Sequence, residues 1–259
     1  MRRIVVPEPV SRAAVWSRRC ALFGLVLAGI AIVASRAGVF DPAEALAVLA
    51  TAMVFGLAAP IFALRALVVV WRTGRPGIGP ALGGTALAIL LLAYPTWLAI
   101  KAMPMPDLHD ITTDATKPLV FATSAKAVTA RRGAIHEQPP EAATRLQSAA
   151  YPDVKPVTID LPPVEAYTMV VSLISARRWA IVDQQPPTAR LPQGRIDAVA
   201  RSLVMGFADD VTIRITGVSA SQSRVDIRSA SRAPWTDLGT NAARIVEFSN
   251  ALQAAVDEQ

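Results

Sequence analysis

Apolar residues follow two regimes along the chain. Three long stretches, about Ala21–Phe40, Ala45–Leu64 and Ile78–Ile100, are almost unbroken. Each is long enough to cross the ~30 Å hydrocarbon core as a helix. From Lys101 onward apolar and polar positions mix. The pattern predicts a three-helix membrane anchor over 1–103. A Pro-rich connector over 104–160 then packs on an α+β domain over 157–259.

The connector carries Pro104, Pro106, Pro118, Pro139, Pro140, Pro152 and Pro156, and one short helix is expected near Glu141–Ala150. Val157–Leu161 reads as a strand. Pro162 and Pro163 then open a helix, since proline fits the first turn. Tyr167, Val170, Val171 and Ile174 share one face of it, and Arg177 and Arg178 favour its negative end. Four strands are expected next: Trp179–Asp183, Arg195–Leu203, Asp210–Gly217 and Ser223–Ser231. In the third, Val211, Ile213 and Ile215 alternate with Thr212, Arg214 and Thr216, the period of a strand. A loop at Val218–Gln222 makes the last two a hairpin, and that register sets Arg214 opposite Asp226. A final helix, about Asn241–Val256, aligns Ile245, Phe248, Leu252 and Val256 in one stripe, with Thr240 as its expected cap. Helices against one face of an antiparallel sheet make an α+β fold, and a helix-grip arrangement suits this order.

Composition sharpens the division. The 259 residues are 53% hydrophobic, more than a soluble protein of this size needs for its core; the anchor explains much of the surplus. The net charge of +6 invites a nucleic-acid reading. Residues 1–100, however, hold 9 Lys+Arg against 3 Asp+Glu, whereas residues 101–259 hold 17 of each. The excess positive charge belongs to the anchor, where it sets orientation rather than binding a polyanion.

Arg2, Arg3, Arg12, Arg18 and Arg19 precede the first span. Asp41 and Glu44 occupy the first loop, and Arg72 and Arg75 the second, with Arg65 able to snorkel toward them. Positive-inside counting places the N-terminus and second loop in the cytoplasm and everything after the third span outside. Trp16, Trp71 and Trp97 sit near span ends, as interfacial aromatics do. Pro60 and Pro95 are expected to kink spans two and three, and Gly79 and Gly83 form a GxxxG packing motif. No acidic residue or histidine lies inside a span, which argues against a proton relay or ion transporter. No A-x-A-like cleavage site follows the first span, so an uncleaved anchor is expected. The single cysteine, Cys20, makes no intrachain disulfide and reads as a membrane-embedded thiol.

Several separated motifs in the soluble part resemble a known family. They are His109-Asp110-Ile111-Thr112-Thr113-Asp114, Tyr151-Pro152-Asp153 and Gly206-Phe207-Ala208-Asp209-Asp210-Val211-Thr212-Ile213-Arg214. Val225-Asp226-Ile227-Arg228-Ser229-Ala230-Ser231-Arg232 and Asp237-Leu238-Gly239-Thr240-Asn241-Ala242-Ala243-Arg244-Ile245 complete the set. In order and spacing they are similar to the domain of unknown function 1499 family, found mainly in bacteria, over about residues 107–255. Here Ala233-Pro234-Trp235 stands where that pattern has a Gly-containing turn. The resemblance implies an envelope protein and supplies no catalytic residues.

Candidate chemistry is sparse. His109, Asp110 and Asp114 could ligate a metal, but the set lacks Cys and HExxH spacing, and Asp110 and Thr112 equally suit turn capping. Asp209-Asp210 reads as an acid/base pair or as a strand-entry turn. Arg214, Asp226, Arg228, Arg232, Asp237 and Arg244 form either an anion-binding site or a salt-bridge network. In the network reading Asp209, Asp210, Asp226 and Asp237 are the partners, and the equal numbers of acids and bases favour it. Ser229 and Ser231 have no histidine near them in sequence, because His109 and His136 both lie in the connector.

The leading expectation is a multi-pass protein of the cytoplasmic (inner) membrane with a periplasmic binding or assembly domain. Its partners are the bilayer and an envelope protein or anionic lipid, with no nucleic acid, cofactor or metal. The alternative is a membrane-tethered hydrolase or an anionic lipid-binding protein of the envelope.

Overall fold

The computed structural model describes residues 8–188, 190–232 and 237–258. Arg2, Arg3 and Ala233-Pro234-Trp235 fall outside the described residues. The chain divides into two compact units. One holds the residues up to Met103 with Val204–Gly206; the other holds Pro104–Leu203 with the chain from Phe207 onward.

Three helices build the first unit: α1 (Arg12–Arg36), α2 (Pro42–Thr73) and α3 (Ile78–Ala102). All three are long and apolar enough to cross a membrane. The boundaries of the first two differ from the sequence reading. The first helix begins at Arg12 rather than Ala21, so Arg18 and Arg19 lie inside it, and it stops at Arg36 instead of Phe40. Arginine is a good helix former, so the helix extends past its apolar stretch. Asp41 caps α2, its backbone N–H donating to Glu44 Oε2 at 2.9 Å, and left-handed Gly74 (φ 69°) ends it. The helices α2 and α3 run through Pro60 and Pro95.

Small residues line the seams of this bundle. Ala14, Ser17, Ala21, Gly24, Ala28 and Ala31 are buried on α1; Ala52, Gly56, Ala59, Ala63 and Ala66 on α2; Ala81, Gly84 and Ala88 on α3. Where the surroundings are as apolar as the side chains, close backbone approach replaces hydrophobic drive. Gly79 and Gly83, the GxxxG pair, are not part of this packing: a Cβ on either would meet nothing within 4 Å. The neighbouring Gly84 is the contact residue. A Cβ there would lie 2.7 Å from the Ser17 carbonyl carbon and 2.8 Å from the Arg18 nitrogen. Adjacent glycines point in different directions on a helix, and only the packing of α1 decides which is used.

The second unit is built on a six-stranded antiparallel sheet in the order β1-β6-β5-β4-β3, with β2 also paired to β6. Its strands are β1 (Asp110–Thr112), β2 (Val157–Ile159), β3 (Ala180–Gln185), β4 (Gln193–Arg201), β5 (Ala208–Gly217) and β6 (Ser223–Ser231). Its helices are α4 (Ala125–Ala130), α5 (Glu141–Ala150), α6 (Pro163–Ala176) and α7 (Thr240–Asp257). The β5–β6 hairpin has the expected register, Arg214 facing Asp226 and Thr212 facing Arg228. Ile196, Ile213, Ile215 and Ile227 point to one face and make a core with Val170 and Ile174 of α6 and Ile245, Phe248 and Leu252 of α7. Trp179 stacks on Phe248 with ring centroids 5.4 Å apart.

The connector is less extended than its prolines suggest. It contributes β1 and α4 as well as the expected α5. Edge strand β1 is three residues long and carries no periodicity of its own. Its outer edge is closed by a side chain: the Thr112 N–H donates to Gln147 Oε1 (3.0 Å) and the Gln147 amide donates back to the Thr112 carbonyl (2.7 Å). Asp110 and Thr112 are therefore strand residues, not turn caps. Thr240 is the first helical residue of α7, and left-handed Gly239 precedes it.

Candidate functional site

Strand alternation sends Asp210, Thr212, Arg214, Arg224, Asp226, Arg228, Arg195 and Asp197 to the face opposite α6 and α7. Exposed to water, such a face would be a charged surface. Instead residues 113–137 of the connector cross it as a strap, and most of the charges are buried. Six arginines (131, 195, 214, 224, 228, 232) meet six aspartates (110, 114, 183, 197, 210, 226) there. The face is neutral by internal pairing.

Arg228 is the clamp, fully buried at 0% exposure. Its Nε donates to Asp110 Oδ1 (2.9 Å) and its Nη2 to Asp110 Oδ2 (2.6 Å). Nη1 and Nη2 also donate to the carbonyls of Leu119 and Glu137, so one guanidinium holds β1 and both limbs of the strap. Its planar fork can serve all these acceptors at once. The Phe121 ring lies 5.0 Å from its carbon and 5.7 Å from that of Arg131, and His136 packs on the same ring at 4.8 Å.

Beside it Arg214 donates to Asp226 Oδ2 through Nε (3.3 Å) and Nη2 (3.0 Å), and to Asp114 Oδ2 (3.0 Å). Arg224 completes a box of two cations and two anions through Asp226 Oδ1 at 2.9 Å. Burial raises the Asp114 carboxyl, but the Lys117 N–H, the Thr116 hydroxyl and Arg214 outweigh it and hold the group below its ordinary range. Arg232 grips both oxygens of Asp210 (3.0 and 2.7 Å), which His136 Nε2 approaches at 2.8 Å.

Arg244 is separate from this set. It reaches Asp209 Oδ2 at 2.5 Å on the helix-facing side of the sheet. There the Ser231 hydroxyl donates to Asp209 (2.7 Å) and that of Ser229 to Asn241 Oδ1 (2.7 Å), while the Asn241 amide donates to Ser231 and the His109 carbonyl. The sequence reading grouped Asp237 with the arginines. Its carboxylate instead accepts the Gly239 and Asn241 N–H groups (2.8 and 2.7 Å) and caps α7, the role expected of Thr240. Burial pushes Asp237 above the ordinary carboxylate range.

The set predicted from sequence thus divides three ways: Arg214, Asp226, Arg228 and Arg232 on the strapped face, Arg244 on the helix side, Asp237 at a helix start. Asp110 and Asp114, weighed as metal ligands, hold arginines. Sequence reasoning missed Arg131, Asp183, Arg195, Asp197 and Arg224. Period two along β6 already places Arg224 with Asp226 and Arg228, so that signal was available; nothing local announces Arg131. Ser229 and Ser231 lie across the sheet from His136, which is paired with Asp210, and their hydroxyls donate to Asn241 and Asp209.

Asp197 is the outlier. Its Oδ1 accepts the Ala122 N–H at 2.9 Å. Its Oδ2 lies 3.2 Å from Arg195 Nε but makes no hydrogen bond among the described residues. Burial therefore dominates Arg195 and Arg131 and raises its carboxyl above the ordinary range. A group that holds its proton more tightly folded than unfolded contributes most stability at low pH and loses it as pH rises. Asp197→Asn keeps the Ala122 acceptor and abolishes this loss. Urea unfolding between about pH 4 and 7 is expected to show the variant gaining on the parent protein as pH rises; a pH-independent difference contradicts the assignment.

Residues 110–252, more than half the chain, match the family described as "Protein of unknown function (DUF1499)". No curated protein matches the chain. The matched span starts at the first residue of β1 and ends in α7, taking in the whole sheet, the strap and both charge networks. The chain is a member of the DUF1499 family, joined to three N-terminal apolar helices.

Proposed function

We propose that this is an integral membrane protein that presents residues 104–259 outside the cytoplasm as a binding or assembly module rather than a catalyst. The observation that carries this reading is the pairing on the strapped face. Apart from Asp197 Oδ2, its aspartates and arginines pair with one another and with the strap, which favours a scaffold over acids, bases or oxyanion donors facing a substrate. The three apolar helices support the anchor. The orientation is read from the described cations Arg12, Arg18 and Arg19 in the first turns of α1 and Arg72 and Arg75 around the α2–α3 loop, five against the single Arg36 beside Asp41 and Glu44 at the α1–α2 turn.

Reporter fusions test it. Alkaline phosphatase joined after Gln259 is expected to be active in a Gram-negative host, and a fusion at Arg75 silent. The reverse pattern would overturn the orientation and with it the external module.

A further inference from the structure

The end of the bundle where α1 begins carries charge that the chain itself does not neutralise. Arg12, Arg18, Arg19, Arg65, Arg72 and Arg75 are all exposed there. Among the described residues no ion pair joins any of them to a carboxylate, whereas the arginines of the strapped face are paired. The three helices are locked together at this end. Ala14, Ala63, Ala66 and Ala81 form one buried cluster. The Ser11 N–H donates to the Pro76 carbonyl at 2.9 Å, which ties the start of α1 to the α2–α3 loop.

Depth along the helices shows what surrounds this collar. Arg18 and Arg19 stand about 26 Å along α1 from Arg36 at its other end, close to the ~30 Å of a hydrocarbon core. Cys20 and Ala21 pack against Ala59 of α2, so α2 from Ala63 to Thr73 runs about 15 Å past that depth. The collar is apolar as well as cationic: Leu64 is 66% exposed, Trp71 91% and Trp16 52%. The Arg19 guanidinium lies 5.7 Å from the Trp16 ring. Lipid presents chains and phosphates together at this depth and matches both kinds of side chain. An acidic protein segment would answer the cations and leave Leu64 and Trp71 unmatched.

We propose that the collar binds phospholipids with net negative headgroups, their phosphates paired with these arginines. The proposal rests on the reading that the helices span a bilayer, and not on which way they point.

The test uses the full chain reconstituted into phosphatidylcholine vesicles with a trace of spin-labelled phosphatidylglycerol or spin-labelled phosphatidylcholine. Electron paramagnetic resonance reads the fraction of each label that the protein immobilises. The phosphatidylglycerol label is expected to be held about fivefold more strongly. Joint replacement Arg18→Gln, Arg19→Gln, Arg65→Gln and Arg72→Gln is expected to bring the ratio to about one. Lys101→Gln, at the other end of α3, is expected to leave it unchanged. Circular dichroism checks the fold of the fourfold variant; should it fail to fold, Arg18→Gln with Arg19→Gln alone is expected to lower the ratio at least about twofold. Equal retention of the two labels by the parent chain would overturn the collar. So would a preference that survives the arginine replacements or vanishes with Lys101→Gln. Alkaline carbonate extraction separates the two readings: release of the chain without detergent sinks the membrane assignment itself. An integral chain with no headgroup preference sinks only the collar.

Discussion

Replacing Arg228 with methionine is expected to destabilise the sheet-bearing unit by about 3–5 kcal/mol, the usual effect of removing one partner from a buried pair. The size follows from what is left behind. Asp110 loses both of its paired donors, and the carbonyls of Leu119 and Glu137 lose theirs. Methionine fills the volume and satisfies none of them. Arg228→Lys is expected to rescue little, because a point charge cannot serve a carboxylate fork and two carbonyls together. Adding Asp110→Asn to Arg228→Met removes the orphaned charge and is expected to return part of the loss. Urea unfolding of a fragment spanning 104–259 reads the stability. Limited trypsin digestion reads the strap, where Lys126, Arg131 and Arg132 are the cleavage points. If cleavage in the strap does not accelerate in Arg228→Met, the clamp role is wrong.

The second large effect lies in the helical bundle. Gly84→Leu is expected to cost about 3 kcal/mol, the upper end for overpacking. The obstacle is the backbone of Ser17 and Arg18, which cannot rotate away as a side chain can, so α1 and α3 must separate. Gly83→Leu, one residue earlier, faces open space and is expected to change stability by no more than about 0.5 kcal/mol. Thermal unfolding of the full chain in detergent compares the two. Equal destabilisation by both, or the reverse order, would refute the packing described for α3.

The β5–β6 hairpin was legible because Val211, Ile213 and Ile215 alternate with polar residues, and alternation fixes which side chains share a face. The Arg214–Asp226 partnership follows from that register alone. The strap was not legible. Its contacts join residues about a hundred positions apart, such as Arg228 with Leu119 and Arg214 with Asp114, and a three-residue strand at Asp110–Thr112 carries no pattern long enough to read. The cap of α7 was misassigned because Asp237 and Thr240 both have capping side chains; the left-handed turn at Leu238 and Gly239 decides for Asp237. In the bundle, GxxxG named the right helix and the wrong glycine, since the motif is blind to which face a neighbour covers.

The most direct test of whether the arginine face is a closed scaffold is a double-mutant cycle on Arg214 and Asp226. Arg214 is 18% exposed in its side chain and Asp226 2%, so their charge-assisted bonds contribute about 1.5–3 kcal/mol. Arg214→Ala and Asp226→Ala are each expected to destabilise the 104–259 fragment. The double variant is expected to lose at least about 1 kcal/mol less than the sum of the singles, within the range for residues in contact. Additive effects, with Arg214→Ala and Arg228→Ala both stabilising, would mean that the arginines repel one another in the free protein and await an anion, and would contradict the scaffold.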